Sequence, residues 1–358
     1  MFIRFAFNFQ WRRRALMSAP PFSLCGKEIR EEKDGFGSPE MELEVDRHSA
    51  FIKETIKTRN FLYYLTEPFR LNTIYWSVNA LSMLGRGEMQ EMRDRVVGYV
   101  MRCRNDDGGF GGCEGYSSNI TSTFNALQIL YIYHIPYHDR STAMFISGLL
   151  QPAGYFHNDG YGETDTRISC CAVLGLHLLS LMERGDFDPR SLSRPICKVF
   201  LAEAGVDPGA IVLYTQKCYN LDGGFGAVKG AESHAAQVFC CLSTLRSLGA
   251  LETVDREEVA RFIATKQASS GGLSGRVSKK EDVCYSFWAY SSLVLIGKEC
   301  YVNQEELTRF IFSCQGPSGG FSDRPGNETD LYHLMFALAG LSLLGYKGLR
   351  RIDPGFGL

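Results

Sequence analysis

Long apolar runs are missing from this sequence, and so is any large net charge. No stretch approaches the ~20 consecutive apolar residues of a membrane span, so we expect no transmembrane segment. The formal net charge is −2 at pH 7, and so weak an overall field does not favour nucleic acid as a partner. Apolar residues are 45% and charged residues 22% of the chain, which is typical of a globular protein.

Cysteine is too sparse for a disulfide-stabilised fold, with 12 residues among 358. Two pairs, Cys170–Cys171 and Cys240–Cys241, lie within apolar helical patterns, where cysteine usually acts as a small core residue. The chain has no convincing secretory signal, so we predict a cytoplasmic protein with free thiols.

Acidic residues are absent from residues 1–25, which carry four arginines and many aromatic residues. This composition resembles a transit peptide, but a disordered extension or a misassigned start would look the same. We predict that residues 1–47 are a disordered N-terminal extension and that residues 48–350 form the folded domain.

Gly-Gly turns recur along the chain, the later ones at intervals of about 48 residues. An amphipathic helical pattern precedes each turn, and a more uniformly apolar pattern follows it. A degenerate copy lies at Ala153–Tyr155, and the polar residues 184–195 account for a longer interval as an insertion. The clear copies are Asp107–Phe110, Asp222–Phe225, Ser270–Leu273 and Ser318–Phe321.

Six apolar helices are predicted, five of them directly after a turn. Because they are apolar on most faces, they should be buried, with the amphipathic helices outside them. Six such hairpins can close on themselves, so the sequence predicts an all-α protein with one α6–α6 barrel, or toroid, of six helical hairpin repeats. The predicted starts are Leu71, Asn119, Thr164, Ser233, Asp282 and Asp330.

A metal site is indicated at the start of the fifth apolar helix. Asp282 and Cys284 could hold one zinc ion if Asp282 is at the N-cap rather than inside the helix. His333 opens the next apolar helix, one repeat later. A lone histidine there is usually bonded within its own helix, but beside an Asp-x-Cys pair it is the expected third ligand.

An anion site is indicated directly before the same helix. Arg276, Lys279 and Lys280 precede a helix N-terminus, which favours negative charge. In a barrel, His234 would open a third neighbouring helix at the same mouth. Zinc beside an anion site predicts an enzyme that activates a thiol and expels a phosphorylated leaving group.

Three motifs resemble the β-subunits of protein prenyltransferases: Gly230–Ala235, Asp282–Trp288 and Asp323–His333. The resemblance extends from about His48 to Gly345. It implies an α–α barrel that pairs with an α-subunit in a heterodimer.

The resemblance also implies roles for individual residues. The family's zinc ligands fall on Asp282, Cys284 and His333. Its diphosphate-binding residues fall on His234, Arg276, Lys279 and Tyr285, with Lys280 a candidate to replace Lys279. Trp288 and Cys240 match positions that line the isoprenoid cavity. Asp323 matches an aspartate that assists magnesium in some members, or it simply caps its own loop.

Within the family, Gly162–Arg167, Ile74–Trp76 and Asp323–His333 look most like the Rab geranylgeranyl class, although Phe287 departs from it. Asn72 and Cys170 are small where the farnesyl enzyme has bulky aromatic residues, so we predict a C20 donor, geranylgeranyl diphosphate. By resemblance the acceptor is a Rab GTPase presented by an escort protein.

Three other functions stay open. A type I geranylgeranyltransferase or a farnesyltransferase β-subunit would act on a C-terminal four-residue motif. A terpene cyclase on a similar barrel would need an acidic motif such as Asp-x-Asp-Asp, and Asp106-Asp107 belongs instead to a Gly-Gly turn. A non-enzymatic helical-repeat scaffold would bind no zinc.

Overall fold

Residues 41–358 are described by the computed structural model. They belong to one compact unit that extends from Ser38 to Leu358. Of the predicted extension, residues 1–40 lie outside the described part, so the predicted disorder there stays a prediction. The predicted boundary at residue 48 falls inside the first helix, which begins at Val45.

Residues 41–358 form helices and no β-strands, and their β-pairing is limited to isolated bridges. Short 3₁₀ turns occur at Glu67–Phe69, Pro189–Ser193, Leu251–Thr253 and Glu299–Tyr301. The α-helices are α1 Val45–Lys57, α2 Phe61–Leu65, α3 Arg70–Met83, α4 Glu88–Glu91, α5 Arg93–Arg102, α6 Ile120–Ile132, α7 Arg140–Gly148, α8 Thr166–Met182, α9 Lys198–Glu203, α10 Pro208–Lys217, α11 Ala235–Ser247, α12 Arg256–Ala264, α13 Tyr285–Ile296, α14 Gln304–Ser313 and α15 Leu331–Leu343.

Six helices form a closed inner ring. In the order α3, α6, α8, α11, α13 and α15, each contacts the next, and α15 contacts α3. Most of their residues are buried because each packs against two neighbours and an outer helix. The predicted α6–α6 barrel is confirmed, and five of its six helices start within two residues of the predicted positions.

The outer layer consists of α1, α5, α7, α10, α12 and α14, each packed on an inner helix. Helix α12 shows why these helices form: Asp255 caps it by accepting hydrogen bonds from the backbone N–H groups of Glu257 and Glu258. Its buried face carries Val259 and Ile263, as the apolar spacing predicts.

The Gly-Gly turns join the layers in the same way in five repeats. Each forms one isolated bridge across the turn, including the degenerate copy, where Leu150 pairs with Phe156. The first glycine of the turn lies against the backbone of the next outer helix. Gly271 has φ +87°, and a Cβ there would lie 2.3 Å from the carbonyl oxygen of Glu306 in α14. The turn therefore requires glycine for both conformation and space.

Residues 351–358 close the end of the barrel at which the inner helices finish. Asp353 accepts two hydrogen bonds from Arg246, at 2.8 and 2.5 Å, and only 7% of its side chain is exposed. Phe356 packs edge-on against His177, with ring centroids 5.2 Å apart. This segment belongs to the core although it lies beyond the predicted domain end at residue 350.

We expect Gly271→Ala to destabilise the protein more than Gly297→Ala. Both glycines have positive φ, but the space around Gly297 is open, so alanine there costs only about 1–2 kcal/mol of backbone strain. At Gly271 the clash with Glu306 adds roughly 1–3 kcal/mol. Urea unfolding of the two variants checks the difference, and equal losses would contradict the docking role of the turn.

Candidate metal and diphosphate site

Three neighbouring inner helices start at the same mouth of the barrel. Helix α11 has His234 as its N-cap, and α15 has Asp330. Helix α13 lies between them in the ring. Ring closure therefore brings together the residues that the motifs single out, although they are far apart in sequence.

Asp282 lies outside helix α13, which is the condition for sharing one metal ion with Cys284. Helix α13 begins at Tyr285, and Cys284 occupies its N-cap position. The backbone N–H of Asp282 donates to Leu273 in the preceding turn, and that of Val283 donates to Asp323, which follows the next turn. Asp282 still lies outside the helix, and its Oδ1 accepts the Cys284 N–H at 2.9 Å.

Asp282 contacts both of the other predicted metal ligands. Its Oδ1 lies 3.5 Å from Nε2 of His333, and the same oxygen accepts the backbone N–H of Cys284. Carboxylate, thiolate and imidazole are donors that suit zinc. Even so, residues 41–358 contain no group of three or more His, Cys, Asp or Glu side chains with the spacing of a formed metal site. The three-ligand set therefore stays a prediction.

His333 is oriented by a residue to which the sequence analysis gave no role. Asp330 accepts the His333 backbone N–H at 2.8 Å and contacts its Nδ1 at 2.7 Å. A carboxylate that bonds one imidazole nitrogen fixes the ring, so that the other nitrogen can face a metal ion. The Asp-x-x-His spacing at a helix start could have indicated this contact, because an N-cap side chain reaches the third helical residue.

Burial and neighbouring carboxylates shift the pKa values of His333 and Cys284. Burial lowers the pKa of His333, but its hydrogen bonds to Asp282 and Asp330 outweigh burial and raise the pKa to about 10. Burial and the neighbouring Asp282 carboxylate raise the pKa of the Cys284 thiol well above its ordinary value. The protein alone thus keeps Cys284 protonated and surrounds it with carboxylates.

His234 and Tyr285 form a second pair beside this group, with His234 Nε2 and the Tyr285 hydroxyl 3.3 Å apart. His234 Nδ1 accepts the Ala236 N–H, so a neutral ring carries its proton on Nε2. Burial, then Arg276 and Lys266, lower the pKa of His234 to about 4, which keeps the ring neutral at pH 7. Nε2–H can therefore donate to Tyr285, and the Tyr285 hydroxyl is free to donate outward.

Gly275 makes room for this pair. A Cβ at Gly275 would lie 2.4 Å from the Tyr285 hydroxyl and 2.8 Å from His234 Nε2. Its carbonyl accepts the N–H of Ala235, which fixes the loop on the start of α11. The sequence analysis missed Gly275.

The predicted cations follow Gly275 on an exposed loop. Arg276 pairs with Glu232 at 3.1 Å and remains 38% exposed. Lys279 and Lys280 are exposed, and within residues 41–358 no carboxylate lies at ion-pair distance from either. The loop thus places three cations near the mouth, two of them unpaired within the described part of the chain.

The residues predicted to line the lipid cavity are on four inner helices. Cys170 and Cys240 are both buried, on the neighbouring helices α8 and α11. Trp288 packs against Phe239 and Phe336, with ring centroids 4.9 and 4.5 Å apart. Asn72, on α3, is half-buried. Their cavity-lining role stays a prediction.

Asp323 caps its own loop, the second of the two roles considered for it. Its Oδ1 accepts hydrogen bonds from the Arg324 N–H at 2.9 Å and from Asn327 Nδ2 at 2.7 Å. Its Oδ2 pairs with the Arg324 guanidinium at 2.9 Å. The magnesium role is not tested by this geometry.

Comparison with known proteins identifies the family. A family profile described as the prenyltransferase alpha-alpha toroid domain matches residues 43–358. The chain belongs to this family. A Candida albicans protein named geranylgeranyl transferase type-2 subunit beta is 38% identical over 266 residues, which are 69% of this chain and 72% of that protein. The protein of the same name from Saccharomyces cerevisiae is also 38% identical, over 70% of this chain and 73% of its own length.

A solved structure supports the same architecture. Candida albicans protein geranylgeranyltransferase-I complexed with GGPP matches with a TM-score of 0.72, over 88% of this chain and 95% of that one. At 21% identity this likeness shows the fold. The resemblance to protein prenyltransferase β-subunits is confirmed, and the chain is a protein prenyltransferase subunit. In the described part of the chain, no helix is long and apolar enough to cross a bilayer.

His234 should make stability depend on pH. Between about pH 6.5 and 4, the unfolded chain binds a proton at His234 that the folded chain does not. The free energy of unfolding therefore falls as the pH falls through this window. Between pH 7 and pH 5, the free energy of unfolding should fall in both proteins. We expect the fall to be roughly 1–2 kcal/mol smaller in His234→Gln than in the wild type. Urea unfolding at both pH values, with the exposed His138→Gln as control, measures this, and parallel losses in both variants would refute it.

Proposed function

We propose that this chain is the catalytic β-subunit of a Rab-type protein geranylgeranyltransferase. It would transfer a C20 isoprenoid from geranylgeranyl diphosphate to C-terminal cysteines of Rab GTPases that an escort protein presents, while paired with an α-subunit. The observation that carries this proposal is the meeting of two groups at one mouth: Asp282 with Cys284 and His333, beside the His234–Tyr285 pair. The names of the two yeast relatives support the type-2 assignment.

The residues present suit one zinc ion per chain. Asp282, Cys284 and His333 would supply oxygen, sulfur and nitrogen donors, and Asp330 orients the imidazole. When bound, zinc would hold the acceptor cysteine as thiolate, although the free thiol has a pKa of ~8.5. Asp323 is the candidate for a magnesium contact. Its bonds to Arg324 and Asn327 support the alternative role, which is to cap its own loop.

The other residues of the mouth would serve the leaving group. The acceptor sulfur forms a bond to C1 of the donor, the C1–O bond breaks, and diphosphate departs with the electron pair. The Tyr285 hydroxyl, whose pKa burial raises, stays protonated and can donate to the growing negative charge. His234 supports Tyr285 through Nε2–H, and Arg276 and Lys279 add positive charge from the loop.

Donor length is inferred from the size of two residues that are predicted to line the lipid cavity. Asn72 and Cys170 are small, and five further carbons would contribute roughly 4 kcal/mol at ~0.8 per buried CH₂. The chief rival is a β-subunit of the type I or farnesyl class, which would accept short peptides without an escort.

Competition between donors and between acceptors tests the proposed specificity. The chain, co-expressed with a prenyltransferase α-subunit, is given equal C15 and C20 diphosphates, with either escorted Rab or a peptide ending in a four-residue motif. We expect C20 transfer to escorted Rab, measured by mass spectrometry. A preference for the C15 diphosphate, or for the peptide, would show that the chain belongs to the farnesyl or type I class instead.

Tyr285→Phe tests the leaving-group role. Loss of one donor to developing charge should lower kcat by roughly 100-fold, with little change in the KM for the protein acceptor. Tyr290→Phe is the matched control, because Tyr290 is buried on the same helix about one and a half turns from the mouth. Equal kcat values for both variants would show that the Tyr285 hydroxyl does not stabilise the leaving group.

A further inference from the structure

A cavity lies at the opposite end of the barrel from the predicted active site. Its volume is about 390 Å³, within the ~300–1,000 Å³ range of small-molecule pockets. It is bordered by residues at the ends of α3 and α6 and by the segment after α15. Its lining combines apolar side chains such as Met89, Phe187 and Leu192 with the polar groups of Arg86, Tyr131 and Arg350.

Tyr131 places a buried hydroxyl in this cavity. The residue is only 5% exposed, and Phe187 covers its ring with centroids 5.5 Å apart. The hydroxyl has no hydrogen-bond partner in the described part of the chain. Burial raises the pKa of Tyr131, so this hydroxyl remains a donor.

Arg350 places a guanidinium beside that hydroxyl. Its backbone is held on both sides, since its N–H donates to Met83 and its carbonyl accepts from Ser342 at 2.7 Å. Its side-chain Nε is buried and unpaired, and among residues 41–358 it forms no ion pair with a carboxylate. The nearby Asp353 is paired with Arg246 instead. Arg350 is thus a positioned, half-buried cation with no carboxylate at ion-pair distance in residues 41–358. The carboxylates of Asp186, Asp188 and Asp353 are close enough to affect Tyr131 but do not pair with it.

Arg86 adds a third unpaired donor to the same lining. Its Nη2 is paired with Asp46, but its Nε is buried and finds no partner among the described residues. Native proteins pair nearly all buried polar groups, and an unpaired one is costly. Three such groups around one cavity indicate a ligand that accepts hydrogen bonds and carries negative charge.

We propose that this cavity binds a small organic anion. Its head group, a carboxylate or a phosphate ester, accepts hydrogen bonds from Arg350, Tyr131 and Arg86, and its apolar part packs on Phe187 and Leu192. The site is separate from the predicted diphosphate site, because the inner helices begin at one mouth and end at the other, about 20 Å away. The proposal does not depend on the transferase activity.

The test uses hexyl phosphate and hexanoate as probes and hexanol as a neutral control. Binding to the full chain is measured by calorimetry after the predicted diphosphate site has been saturated with inorganic pyrophosphate. We expect both anions, or one of them, to bind at least about tenfold more tightly than hexanol. The stronger probe distinguishes a phosphate ester from a carboxylate as the natural ligand.

Two neighbouring arginines offer a matched pair of variants. Arg350→Gln should weaken binding by about tenfold or more, because the charge-assisted hydrogen bonds are lost. Arg351→Gln removes the same charge from an exposed position outside the lining and should leave binding unchanged. Tyr131→Phe should weaken binding severalfold, and it tests the site even if Arg350→Gln does not fold. Anions that bind no better than hexanol, or equal binding by both arginine variants, would overturn the proposal.

Discussion

Closure of the inner ring is the constraint on which the rest of the structure depends. Each inner helix is apolar on most faces, and an open row of hairpins would leave the end helices exposed. Contact between α15 and α3 removes both ends at once. The Gly-Gly turns maintain this closure, because the last of them places Gly319 against Arg47 of α1. The mouth and the opposite end are both consequences of the closed ring.

The chemistry at the mouth follows from where the inner helices start. His234, Tyr285 and His333 come from three repeats, yet ring closure brings the starts of their helices side by side. Asp282 is the central contact, because it bonds the Cys284 N–H and faces His333. At the other end, the ion pair of Arg246 with Asp353 holds residues 351–358 in the barrel. Removing one partner of such a buried pair typically costs roughly 3–5 kcal/mol.

The sequence predicted the barrel and the turns, because repeat spacing and apolar periodicity are local signals. The roles of the site residues come from the motifs and stay predictions. It did not predict that α13 begins at Tyr285, because the first bonds after Asp282 are of the 3₁₀ type, from Tyr285 to Asp282 and from Ser286 to Val283. Gly275 was missed because its role is steric and depends on two other repeats. The burial of Asp353 and the unpaired state of Arg350 also depend on distant contacts, which no local pattern encodes.

Zinc content measured by atomic absorption tests the central claim most directly. The chain is purified with its proposed α-subunit and compared with Cys284→Ala and with Cys314→Ala, a buried cysteine outside the predicted ligand set. The account predicts about one zinc per chain in the wild type and in Cys314→Ala, and loss of zinc in Cys284→Ala. Folded wild-type protein without zinc, or zinc retained in Cys284→Ala, would contradict it.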